Sequence, residues 1–120
     1  MINLKVIALS LMALATLIVA EPAWSHTKVK TSTLEHGKTY QTLPETIDLV
    51  FAQKVGLVAL TLETSDGSEV PLSFDKPKGM QSHFAIPKPY LDSGAYVLRW
   101  RVIANDGHVL NGEIAFSYEP

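Results

Sequence analysis

Cysteine is absent from this chain. Disulfides, thiolate zinc sites, CxxC redox chemistry and Cys-ligated blue copper are therefore excluded. Charge is scarce: 18% of the 120 residues are charged, with 10 Lys and Arg against 12 Asp and Glu, for a formal net charge of -2. A protein that neutralises phosphates needs a clustered basic face, so nucleic acid is excluded as a partner. Outside the first twenty residues there is no long apolar run and no stretch with three helical turns of amphipathic spacing. No internal repeat, low-complexity tract or second domain is present.

The one long apolar run is N-terminal. Met1 to Lys5 form a short basic start, and Val6–Ala20 is interrupted only by Ser10 and Thr16. That length suits the core of a signal peptide and falls short of the roughly 20 residues that span a bilayer. Ala23 and Ser25 are the small residues that a cut between Ser25 and His26 requires; a cut after Ala20 would place Ile18 at the third position before it. The chain thus reads as a signal peptide, 1–25, and one exported domain, 26–120, with no membrane span after cleavage. The alternative is an uncut helix that tethers the domain to the membrane. Cleavage would make His26 the first residue, with a free α-amine beside an imidazole. Both groups lose protons to a metal near neutral pH, so one residue becomes a bidentate chelate.

The other 95 or so residues alternate with period two. Ile47, Leu49 and Phe51 form one apolar series; Val58, Leu60 and Leu62 a second; Val70, Leu72 and Phe74 a third. Phe84 and Ile86 mark a short run closed by Pro87 and Pro89, Tyr96 to Val102 a longer one, and Ile114, Phe116 and Tyr118 the last. Val29 makes a weak first strand. Successive side chains of a strand point to opposite faces, so these series predict strands. Asp66-Gly67, Lys76-Pro77-Lys78-Gly79 and Asp92-Ser93-Gly94 supply the turns. The expectation is all-β: a small antiparallel Ig-like or cupredoxin-like β-sandwich of about seven strands. Trp100 is expected in its core, with Arg99 and Arg101 on the opposite, solvated face.

All four histidines, His26, His36, His83 and His108, follow the cut. Asp106-Gly107-His108 is the most suggestive motif. Asp-Gly suits a two-residue hairpin turn, with His108 starting the next strand. Equally, Asp106 and His108 flank a residue with no side chain and can converge on one ion. Joined by His26, they offer three nitrogens and one oxygen, a set that suits tetragonal Cu(II) and that Zn(II) also accepts. His36 reads as a solvated loop histidine. Met80 and His83 are a sparse pair for Cu(I), and Met80 more simply reads as loop packing.

The segment from Gly94 to Phe116, with its Trp100-Arg101, Asp106-Gly107-His108 and Gly112…Phe116 elements, resembles the C-terminal part of the CopC-like family of periplasmic copper-resistance proteins. Ser32-Thr33 with Gly37, the Ile47–Phe51 run and a histidine at the cleavage point fall in the family's order, so the resemblance spans the exported domain. It implies a periplasmic protein that binds one Cu(II) per chain through His26, Asp106 and His108. It also implies copper homeostasis or resistance as the role, and a CopD-like inner-membrane protein as the partner. Three departures stand out: Leu34 replaces a usual proline, Gln53 replaces a usual acidic residue, and the methionine-rich Cu(I) loop is missing. Two other classes compete with a carrier or buffer. One is a metal-free Ig-like interaction module. The other is a copper oxygenase built on a histidine brace, for which the chain is short and Asp106 would fill a position that oxygen needs.

Overall fold

The computed structural model describes residues 29–120, so the expected signal peptide and His26 lie outside the described residues. Every regular element among those residues is a strand: β1 (Val29–Ser32), β2 (Lys38–Tyr40), β3 (Thr46–Thr64), β4 (Glu69–Val70), β5 (Gln81–Pro87), β6 (Gly94–Ile103) and β7 (Val109–Tyr118). β3 organises the sandwich. Its first half pairs with β1 and β5, and its second half with β4 and β6, after which β7 and β2 complete the second sheet. Two series read as separate strands are thus one continuous 19-residue strand. It changes sheet around Ala52–Lys54, three exposed residues between buried Phe51 and Val55.

The core follows the alternation. Ile47, Leu49, Phe84, Ile86, Leu62, Leu98 and Val102 are all at most 1% exposed. Phe51 meets Phe84 edge-on in its own sheet and Trp100 edge-on from the facing one, with ring centroids 5.8 and 6.3 Å apart. Burial of side chains of this size contributes about 1.5–3 kcal/mol each, which fixes the register of both sheets. Trp100 also explains Gly112, its cross-strand partner: a β-carbon there would sit 2.4 Å from the indole. The Tyr96 hydroxyl donates to the Asp92 carbonyl at 2.6 Å, a tyrosine corner at the entry to β6.

Three expectations need correction. Past Val70 the chain leaves the ladder, although Leu72 and Phe74 still pack against the core. Pro71 and Pro77 punctuate that segment, and the Lys76 ammonium donates to the Val58 carbonyl at 3.2 Å. Val58 is 37% exposed while Leu57 is buried, because an irregularity between Leu57 and Ala59 resets the alternation. β2 runs parallel to β7, so the sandwich is not wholly antiparallel. His36 is an exposed loop residue, as expected, and it also makes a backbone contact. Its Nδ1 accepts the Ala115 N–H at 3.0 Å, next to the Gly37 N–H donating to the Ala115 carbonyl. The imidazole there stands in for a backbone carbonyl where the chain crosses between sheets. Leu34, at the departure from proline, is 2% exposed and fills the core at that crossing.

Candidate metal centre

Between β6 and β7 the chain turns in three residues, Asn105-Asp106-Gly107, rather than two. The Gly107 N–H donates to the Ala104 carbonyl at 2.9 Å, and the Ala104 N–H donates to the His108 carbonyl at 2.8 Å. Gly107 takes φ +90°, a left-handed value that a β-carbon would strain. The turn brings the Asp106 and His108 side chains into contact. The His108 N–H donates to Asp106 Oδ1 at 3.1 Å, and its Nδ1 lies 2.6 Å from Asp106 Oδ2. One carboxylate therefore orients both the backbone and the ring, and His108 Nε2 has no hydrogen-bond partner among the described residues.

Electrostatics follow from that geometry. The His108 backbone N–H first, then its side chain, holds the Asp106 carboxyl below the usual carboxylate range. The two side chains are 62% and 79% exposed, so an ion reaches them without rearrangement of the core. A depression of about 350 Å³ opens over the turn, lined by Ala104, Asp106, His108, Val109 and Leu110. A larger trough, about 740 Å³, lies on the outer face of β3, β6 and β7. There Arg99 is clamped by Glu63 and Glu113 at 2.9 and 3.0 Å, while Arg101 bonds Asn111. These are the solvated arginines expected from the alternation.

Among the described residues, no three His, Cys, Asp or Glu side chains gather closely enough to hold a metal. The turn offers two donors, and a tight site needs more. β1 begins at Val29, paired with Phe51, just where β3 leaves the first sheet. Five residues on, Gly56 pairs with Ile103, the last residue of β6. The chain thus enters the sandwich at the end that carries Asp106 and His108.

His83 finds a partner on the neighbouring strand. Its Nε2 lies 2.9 Å from Asp48 Oδ1, across β3 and β5. The sequence reading missed Asp48 because 35 residues separate the pair and only the strand register brings them together. The single signal was a carboxylate on the outward side of an otherwise apolar alternation.

The CopC domain family matches residues 29–119 of this chain. A protein named "Copper resistance protein C" from Xanthomonas campestris pv. juglandis is 29% identical over 126 residues, covering 98% of this chain and 98% of its own. Among solved structures, CopC from Methylosinus trichosporium OB3b superposes with a TM-score of 0.57 at 24% identity, over 75% of this chain and 95% of that one. PcoC, a copper resistance protein from Escherichia coli, gives 0.57 at 20% identity, over 77% and 99%.

Proposed function

The chain belongs to the CopC family, and from that premise we propose that it is an exported, periplasmic copper-binding protein that carries or buffers one Cu(II) without catalysing a reaction. The observation that carries this reading is the Asp106–His108 pair. It presents an anionic oxygen and an oriented imidazole on a turn at the end of the sandwich where β1 begins. In this reading the signal peptide ends at Ser25, and His26 adds its α-amine and ring. The resulting three nitrogens and one oxygen suit Cu(II), which the Irving–Williams order favours over Zn(II).

A carrier must release its cargo. The two donors are exposed, and the turn is flanked by the cross-strand pair Ile103 and Val109, 39% and 54% exposed. That apolar footing beside the ligands suits docking of the protein that takes the copper, for which a CopD-like inner-membrane protein is the family's candidate. Protons compete for the amine and both imidazoles, so Cu(II) is released on acidification between about pH 6 and 4.

The test is a competitive Cu(II) titration of protein beginning at His26, run beside the same protein with one alanine added in front. Tight one-to-one binding that collapses with the extra residue supports the amine-and-imidazole site. Indifference to the added alanine removes His26 from the site.

A further inference from the structure

Asp48 and His83 form a second histidine–carboxylate pair on the outer face of the first sheet, away from the 104–108 turn. Their separation of 2.9 Å is what two neighbouring donors keep around one ion when each bond is about 2.0–2.1 Å long. The carboxylate is already oriented. Asp48 Oδ2 accepts the hydroxyls of Thr46 and Thr33 at 3.3 and 3.4 Å, leaving Oδ1 to face the imidazole. The Asp48 N–H donates to Thr33 Oγ1 at 2.9 Å, and the Thr33 N–H to the Asp48 carbonyl at 3.1 Å.

Rigidity comes from beneath. Ile47 and Leu49 on either side of Asp48, and Phe84 and Ile86 in β5, face inward and are at most 1% exposed. Antiparallel pairing of Asp48 with Ala85 and of Val50 with His83 fixes the two side chains as diagonal neighbours. Above them the site is open: the His83 and Asp48 side chains are 57% and 37% exposed.

We propose that Asp48 and His83 form a second, weaker site for a divalent transition-metal ion of borderline softness, Cu(II) or Zn(II). His83 Nε2 and Asp48 Oδ1 are its cis ligands, water completes the shell, and the Thr33 and Thr46 hydroxyls fix the carboxylate from behind. Binding replaces the Nε2–H···Oδ1 hydrogen bond: the ring keeps its proton on Nδ1, and Nε2 and Oδ1 turn their lone pairs to the ion. The exposed ring turns slightly to bring its lone pair off the N–O line. The site stands on these residues alone and does not depend on the copper reading of the turn.

The experiment uses protein already holding one equivalent of Cu(II), titrated with a second, and also a His108→Ala variant titrated from the start. Cu(II) broadens nuclear resonances close to it, so the amides of Thr33, Asp48 and His83 to Ala85 report occupancy. The expected result is a saturable equivalent in both proteins that broadens these amides. Its affinity falls at least about tenfold, or 1.4 kcal/mol, in His83→Gln and in Asp48→Asn. His83→Gln retains a donor for Asp48, so loss of the sheet cannot imitate loss of the site. A second equivalent that survives both substitutions, broadening centred on His36, or no saturable second equivalent overturns the proposal. Failure of the tight site at the turn would instead appear as loss of the first equivalent in the unsubstituted protein, with the second unchanged.

Discussion

Two turns at opposite ends of the second sheet share one design and differ in chemistry. Thr64-Ser65-Asp66-Gly67-Ser68 joins β3 to β4, and Ala104-Asn105-Asp106-Gly107-His108 joins β6 to β7. In each, the glycine N–H donates to the carbonyl three residues back, at 3.0 and 2.9 Å, and the glycine sits at φ +91° or +90°. In each, the aspartate Oδ1 accepts the N–H two residues on, at 3.1 Å. The difference lies in what else reaches the carboxylate. At the first turn the Thr64 hydroxyl donates to Asp66 and closes the network on itself. At the second, Ala104 has no hydroxyl to offer, and His108 takes Asp106 Oδ2 through its ring. Asp-Gly specifies the bend; the residues flanking it decide whether the carboxylate is satisfied by a hydroxyl or shared with an imidazole.

The sharpest way to erase the difference is His108→Ser, which copies Ser68 into the second turn. It should weaken Cu(II) binding at least about a hundredfold while leaving the thermal unfolding midpoint within about two degrees, because the turn contributes little to the core. Gly107→Ala and Gly67→Ala test whether the bends are equivalent. Neither added methyl meets anything within 4 Å, so each should cost the same 1–2 kcal/mol or so of left-handed strain in urea unfolding. Only Gly107→Ala should also reduce Cu(II) affinity.

A graft runs the other way. Thr64→Ala with Ser68→His should draw the new ring to Asp66, visible as a histidine tautomer held at Nδ1 by nitrogen NMR. It should bind Cu(II) at least about a hundredfold more weakly than the second turn does, since β1 begins at the other end of the sandwich.

The smallest effect is on acid stability. Asp66 is held below the usual carboxylate range first by the Thr64 hydroxyl, and Asp106 first by the His108 N–H. A lowered folded-state value means stability that is present above the unfolded carboxylate's titration and lost as pH falls through the folded one, below about pH 4. Asp66→Asn and Asp106→Asn should each slightly flatten the fall in stability below that pH, seen in acid unfolding followed by Trp100 fluorescence.

Much of this was legible in one dimension. The alternation around Ile47, Leu98 and Phe116 gave the strands, because a sandwich buries one face of each. Asp106 and His108 could be paired because two residues around a glycine meet within a single turn. Long-range facts were not legible. Ile47–Phe51 and Val58–Leu62 read as two strands because nothing local distinguishes a loop from exposed Ala52, Gln53 and Lys54 on a strand that changes sheet. The parallel pairing of β2 with β7 depends on His36 and Gly37 meeting Ala115, 79 residues from His36 in the chain.

By itself, then, the sequence determined the all-β class, the core series and the Asp106-Gly107-His108 bend, all of which rest on residues within a few positions of one another. Only the tertiary structure decided that His83 meets Asp48, and that His36 bonds the edge of β7 at Ala115. It also brought the entry of β1 to the end of the sandwich carrying His108. Strand register decided all three, and register is set by how the whole core packs, which no single segment encodes.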